Sequence, residues 1–313
     1  MCISCDLLQG LDLDALSPAQ GSVSNPLHWP VSRDGLSPAA LFSPSDSAVV
    51  QRLRRCPPAV SNAHRLASAA TPEALAALAV DDFRHFWLAR LEGRIQPDLR
   101  YTVALPTAYT LLCAAGQGED IAQLSAYEVH VVAALQSLLA TVPPEHLAIQ
   151  WDAPAEMRVW ETRGRDLTAP RGLPERLLQS FMALWEAVPA SADIGLHLCH
   201  TSAGAMGSVN PTHIGQAVRL VGAVIASTER QPQFVHLPVP PERDDTVYFE
   251  DLIHLALWPS LEVHLGLVHE SDTPEDVAAR LSAAREVLPY AAASADCQTR
   301  VATGLRLLGG DQA

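Results

Sequence analysis

The chain has 313 residues, of which 48% are hydrophobic, so it can build one large α/β domain or two smaller domains. Its 21 basic and 35 acidic residues give a formal net charge of -14, which argues against nucleic acid or an anionic membrane as the main partner. Every basic residue is an arginine. This excludes chemistry that needs a lysine amine, such as a Schiff base or a pyridoxal-phosphate anchor.

The start of the chain has no basic segment followed by an apolar run, as a secretory signal would, and no run approaches the length of a membrane span. We therefore expect a cytoplasmic protein. The cysteines are widely dispersed, which favours free thiols or metal ligands over a disulfide framework. They are Cys2, Cys5, Cys56, Cys113, Cys199 and Cys297.

Two segments of different character precede the regular part of the chain. Residues 1–58 are rich in Ser, Pro, Gly and Asp and show little periodicity, which predicts an irregular N-terminal arm. Residues 59–313 are predicted to form the catalytic domain. Within it, Thr71-Pro72-Glu73 is typical of a helix start, and apolar residues at helical spacing extend the predicted helix to Leu91.

After Pro97, short apolar segments alternate with longer amphipathic ones. The predicted strands are 101–106, 147–152, 194–199, 234–237, 261–268 and 290–295. The predicted helices are 125–139, 174–188, 211–227, 247–257, 274–287 and 301–308. Six βα units indicate a parallel sheet.

The absence of a Gly-x-Gly-x-x-Gly turn after any strand favours a single (β/α)8 TIM-type barrel over a doubly wound open sheet. A barrel needs two further strands in the first 100 residues, and 56–60 is a weak candidate for one of them. Active sites of such barrels form at the carboxyl ends of the strands. The polar groups at the carboxyl ends of the predicted strands are Thr107, Asp152, His197, Cys199, His236, His269, Asp296 and Cys297.

His197 and Cys199 are two residues apart, so a strand would point both side chains to one face. An imidazole and a thiolate placed in this way can hold zinc, and Cys297 could join them across the barrel mouth to give an open three-ligand site. Zinc holds a bound thiol as a thiolate, which suits alkyl transfer to sulfur. The structural alternative to a zinc site is a buried histidine beside a cysteine that only packs in the core.

Three motifs, which together span residues 147–300, resemble one enzyme superfamily. His197-Leu198-Cys199 followed by 296–300 (DCQTR) resembles the zinc signature of cobalamin-independent methionine synthase and its relatives in the uroporphyrinogen decarboxylase and methionine synthase superfamily. Residues 149–155 (IQWDAPA) are similar to that family's Gln-x-Asp-Glu-Pro-Ala motif. Residues 266–271 (GLVHES) are similar to the segment that carries a histidine proposed as a proton donor or relay.

The resemblance implies that His197, Cys199 and Cys297 bind Zn²⁺ and that Asp152 orients the acceptor. Further substrate-binding residues would be Thr107 and Gln150, and His269 would handle the proton. The family's additional zinc-ligating glutamate aligns with Pro238 here, so the fourth ligand, if there is one, would be His236 or Glu242. The glutamate of Gln-x-Asp-Glu-Pro is replaced by Ala153.

The predicted function is a zinc-dependent transferase that moves a methyl or alkyl group to or from a small thiol or thioether. Two alternatives stay open. One is a metal-independent lyase or decarboxylase of the uroporphyrinogen-decarboxylase type, in which Asp152 and arginines at the rim bind an acidic substrate. The other is a non-catalytic partner subunit. The sequence leaves a homodimer open and does not identify the acceptor thiol or the alkyl donor.

Overall fold

The structure is a computed structural model that describes residues 72–93, 97–114, 117–162, 172–199, 211–269 and 272–295. The predicted N-terminal arm, the candidate strand at 56–60, the predicted helix at 301–308 and Cys297 lie outside the described residues.

Six parallel strands form one sheet in which the spatial order is the sequence order, β1 to β6. They are β1 (Tyr101–Pro106), β2 (Leu147–Asp152), β3 (Asp193–His197), β4 (Phe234–Pro238), β5 (Glu262–Val268) and β6 (Ala292–Ala295). This confirms the α/β class and the parallel sheet. Among the strands of the described residues, the order has no reversal of the kind that marks a doubly wound sheet. Closure of the sheet into an eight-stranded barrel stays a prediction.

One helix precedes β1, and the others connect consecutive strands. They are α1 (Pro72–Leu91), α2 (Ala108–Ala114), α3 (Leu124–Leu139), α4 (Pro154–Thr162), α5 (Leu173–Glu186), α6 (Gly215–Ser227), α7 (Thr246–Phe249) and α8 (Pro274–Val287). Short 3-10 helices lie at Ile121–Gln123, Pro144–His146 and Glu250–Leu257. No helix among the described residues is long and apolar enough to cross a membrane.

The two faces of the sheet differ in character because side chains alternate along each strand. One face carries apolar residues such as Val103, Ile149 and Leu196, which are buried in the same hydrophobic core as the helices. On the other face the strand register aligns Asp152, His197, His236 and His264 in one transverse row. The helix-covered face therefore provides the core, and the opposite face concentrates the polar groups.

Three sequence predictions need correction. β3 ends at His197 and not at Cys199, because its neighbour β2 ends at Asp152, where the chain turns into α4 at Pro154. Two short helices, α2 and α4, were not predicted, since each follows its strand after a single residue. The predicted helix at 247–257 consists of α7 followed by the 3-10 helix.

Candidate active site at the strand ends

A buried carboxylate–imidazole pair lies at the carboxyl ends of β2 and β3. Asp152 and His197 are register partners, and their exposed fractions are 0% and 3%. His197 Nδ1 lies 3.0 Å from Asp152 Oδ1, and Gln150 Nε2 donates to the same oxygen at 2.9 Å. With Asp152 ionised, the carboxylate can only accept, and the His197 tautomer that fits this contact carries its proton on Nδ1. Nε2 is therefore the His197 nitrogen that a metal ion would use.

His236, the next residue of the polar row, lies beside His197. The ring centroids are 4.7 Å apart and the planes are inclined by 48°. Sheet register causes this contact, because His197 and His236 are partners between β3 and β4. Of the two candidates for a fourth zinc ligand, His236 thus adjoins the predicted site directly. Glu242 is exposed on the turn after β4, near Tyr248; burial raises the pKa of the Tyr248 phenol, and the charge of Glu242 raises it further.

Cys199 is buried two residues beyond the end of β3. Among the described residues no three or more His, Cys, Asp or Glu side chains form a group that could hold a metal ion. The predicted zinc set includes Cys297, which lies outside the described residues, so the zinc site as a whole stays a prediction. In donor chemistry the described part fits a zinc ligand set: a histidine whose Nδ1 contacts a carboxylate, and a buried cysteine two residues further along the chain.

Thr107 connects the end of β1 to a buried carboxyl that the sequence analysis missed. Its backbone N–H donates to Asp152 O at 3.0 Å, and its Oγ1 accepts the Thr110 N–H at 3.2 Å. Glu156, in the first turn of α4, accepts a hydrogen bond from the Thr110 hydroxyl, with 3.0 Å between Oγ1 and Oε2, and the Thr107 hydroxyl also favours its charged form. Glu156 was missed because a glutamate near a helix start is usually exposed.

Burial raises the pKa of Glu156 to about 7, although the two threonine hydroxyls favour the charged form and act in the opposite direction. Tyr109 and Cys113 of α2 are close neighbours. Burial raises the pKa of the Tyr109 phenol, and it raises the pKa of the Cys113 thiol to about 12. Both groups stay protonated at neutral pH, so Cys113 is a packing residue and not a thiolate nucleophile.

His269 follows β5 at the same end of the sheet, in a loop that an ion pair holds. Its backbone N–H donates to Asp272 Oδ2 at 2.7 Å. Arg280 of α8 lies 2.6 Å from Asp272 Oδ1, and both side chains are buried. The same guanidinium donates to Pro241 O in the loop after β4 at 3.3 Å. Arg280 therefore fixes the loops after β4 and β5 relative to each other, and the proposed proton transfer by His269 stays a prediction.

Neither protein-family models nor curated proteins match the chain. Among solved structures it is similar to a crystal structure from Listeria monocytogenes whose name marks it as a candidate vitamin-B12 independent methionine synthase. The sequences are 16% identical, the TM-score is 0.42 and the match covers 65% of this chain. The chain spans 59% of the length of that structure. A likeness of this size carries no functional argument.

Proposed function

We propose that this chain is an enzyme that transfers a methyl or alkyl group to or from a small thiol or thioether, with Zn²⁺ held by His197, Cys199 and Cys297. The bond between Asp152 and His197 is the observation that carries the proposal. A zinc-ligating histidine usually donates its second ring N–H to a carboxylate, which fixes the orientation of the ring and the tautomer. His197 makes this bond at the end of a strand where the His-x-Cys motif predicts a ligand.

Each residue has a defined part in the proposed reaction. Asp152 holds the His197 ring, while Gln150, bonded to the same oxygen, fixes the carboxylate. Because Asp152 Oδ1 already contacts His197 and Gln150, we expect Asp152 to orient His197 and not to contact the acceptor directly. When bound, zinc would hold the acceptor sulfur as a thiolate at neutral pH. His269, in the loop fixed by Asp272, would take up the thiol proton.

The first experiment measures zinc per chain in the untagged protein. We expect about one zinc in the parent and loss of zinc in Cys199→Ala and Cys297→Ala, because each variant removes one thiolate ligand. Cys113→Ala is the matched control, since Cys113 is a protonated packing thiol, and it should retain zinc. The zinc-loaded protein is then incubated with iodomethane and a panel of small thiols that includes L-homocysteine and 2-mercaptoethanol. Mass spectrometry detects the thioether.

The proposal would be contradicted if the parent contains no zinc and if a folded Cys199→Ala variant matches the parent in zinc content and in thioether formation. The metal-independent lyase would then be the better reading. If zinc is present but thioether forms no faster than without protein, the zinc is structural and the transferase proposal fails.

A further inference from the structure

The carboxyl-terminal end of α1 packs against a histidine that lies at the opposite end of the sheet from the candidate site. His146 ends the 3-10 helix that leads directly into β2. Its ring lies beside Trp87 of α1, with centroids 4.7 Å apart, and stacks on Phe83 at 6.3 Å with the planes inclined by 23°. Because His146 is half-buried among these rings, water can hydrate a charge on its imidazole only in part.

Arg90 joins the same end of α1 to two neighbouring segments. Its guanidinium lies 5.0 Å from the centre of the Phe86 ring and 5.4 Å from that of Trp87, which are cation–π distances. It also donates to Leu99 O, just before β1, and its Nη1 lies 3.5 Å from His146 Nδ1. Since arginine has no acceptor atom, Nδ1 must accept in this contact, which requires a neutral imidazole.

A proton on His146 is incompatible with this arrangement. Nδ1 could no longer accept, and a second cation would lie beside the guanidinium of Arg90. Burial lowers the pKa of His146 from its ordinary value of 6.5, and the charges of Arg90 and Arg100 lower it further, whereas Glu145 on the same 3-10 helix opposes them. Asp98 faces Arg90 and favours its charged form. The contact between α1 and His146 is therefore stable only while the imidazole is neutral.

We infer that Arg90, His146 and Leu99 form an acid-sensitive latch, the α1 latch, that fastens the carboxyl-terminal end of α1 to the sheet. Above a pH of about 6.5 the imidazole is neutral and the end of α1 stays docked. Below this pH, a histidine released from the cluster binds a proton more readily than docked His146, so acid stabilises the released state. Protonation displaces the Arg90 guanidinium, which also breaks its bond to Leu99 O. The inference does not depend on the proposed transferase function.

Amide hydrogen exchange of the full chain tests the α1 latch. It is measured by mass spectrometry at pH values of about 7.5 and 5.5 and corrected for the intrinsic exchange rate at each pH. We expect exchange in residues 84–91 to become about 5- to 30-fold faster at the lower pH, while exchange in α5 stays unchanged. Equal corrected rates in residues 84–91 at the two pH values would overturn the inference.

Variants of His146 distinguish its protonation from a general effect of acid. His146→Gln keeps a neutral side chain that can accept from Arg90, so exchange in residues 84–91 should no longer respond to pH. His146→Lys is charged at both pH values and should exchange rapidly at both. His254→Gln is the control, since His254 is an exposed histidine on another 3-10 helix, and it should respond as the parent does.

A titration of the parent by NMR keeps the test independent of how the variants fold. The ring protons of His146 should titrate below the ordinary histidine pKa of 6.5, and amide resonances of residues 84–91 should change with the same midpoint. A His146 ring that titrates at 6.5 or above would overturn the inference. An unchanged pH response of exchange in folded His146→Gln would overturn it as well.

Discussion

Gly195 shows how a single residue shapes the polar face of the sheet. It pairs in register with Phe234, and a Cβ at this position would lie 2.2 Å from two carbons of the phenyl ring. The ring also contacts the His264 imidazole edge-on, with centroids 6.4 Å apart, which limits its freedom to move. We expect Gly195→Ala to lower the free energy of unfolding by about 1–3 kcal/mol through overpacking, measured by urea denaturation.

The control for this prediction is Gly222→Ala in α6, where a Cβ would meet Trp258 at an ordinary 3.6 Å. That variant should be more stable by about 0.5–1 kcal/mol, because alanine is the better helix former. Phe234→Leu should recover part of the loss when it is combined with Gly195→Ala. A double variant as unstable as the sum of the two singles would show that the ring is not the obstacle.

Asp152 is expected to control zinc affinity without binding the metal. Asp152→Asn keeps the size of the side chain but removes the charge that holds His197 Nδ1, and loss of the partner that orients a metal-binding histidine costs about 10- to 100-fold in metal affinity. Competition with a chromophoric chelator measures the zinc affinity of the parent and of the variant. Asp193→Asn is the control, since Asp193 is also a strand carboxylate but pairs with Arg100 at the other end of β3. Equal losses of affinity in both variants would argue against the proposed role.

At the level of whole elements, the strands and longer helices were predictable from local pattern. β1 and β2 match their predicted bounds, because compact apolar segments with flanking polar residues specify them locally. The helices α2 and α4 were not predictable in this way. Thr110 and Glu156 are polar residues on their buried sides, and the tertiary bond between them gives each a partner that the local sequence pattern does not reveal.

The connection of α8 to the strand-end loops gives a prediction for an element. Arg280→Met would leave the buried Asp272 carboxylate without its cation and should cost about 3–5 kcal/mol of unfolding free energy. Arg285→Met on the same helix is the control: Arg285 is exposed and donates to Ala291 O, so we expect a change within about 0.5 kcal/mol. Chemical denaturation measures the free energy of unfolding of both variants. Similar losses of unfolding free energy in the two variants would mean that the ion pair between Arg280 and Asp272 does not anchor the loops.

On the scale of the whole molecule, the candidate site depends on sheet topology. Asp152, His197 and His236 are far apart in sequence and become neighbours because β2, β3 and β4 are adjacent and in register. The βα alternation predicted that their strands end at one edge, which is why these residues could be chosen from the sequence. Glu156 could not be chosen in this way, because its significance comes from its burial and from the Thr107 and Thr110 hydroxyls at the start of α2.

The same buried carboxyl should make the stability of the whole protein depend on pH. Glu156 titrates at about 7 when folded, whereas its ordinary pKa is 4.5. Between these values the unfolded chain has lost the proton and the folded chain still binds it, so stability falls as pH rises. The stability that comes from proton binding by folded Glu156 is fully present below a pH of about 4.5 and is lost above a pH of about 7. A shift of this size corresponds to about 3 kcal/mol.

Urea denaturation of the parent and of Glu156→Gln at pH values from 4.5 to 8 isolates this contribution, because all other titrating groups are common to both proteins. We expect the parent to lose about 3 kcal/mol more than the variant over this range, since the amide cannot ionise. The free energy of unfolding of Glu175→Gln should change with pH as that of the parent does, since Glu175 occupies the first turn of α5 but is exposed. Parallel curves for the parent and Glu156→Gln would show that the folded carboxyl titrates normally, and the hydroxyls of Thr107 and Thr110 would then be stabilising an ionised group throughout.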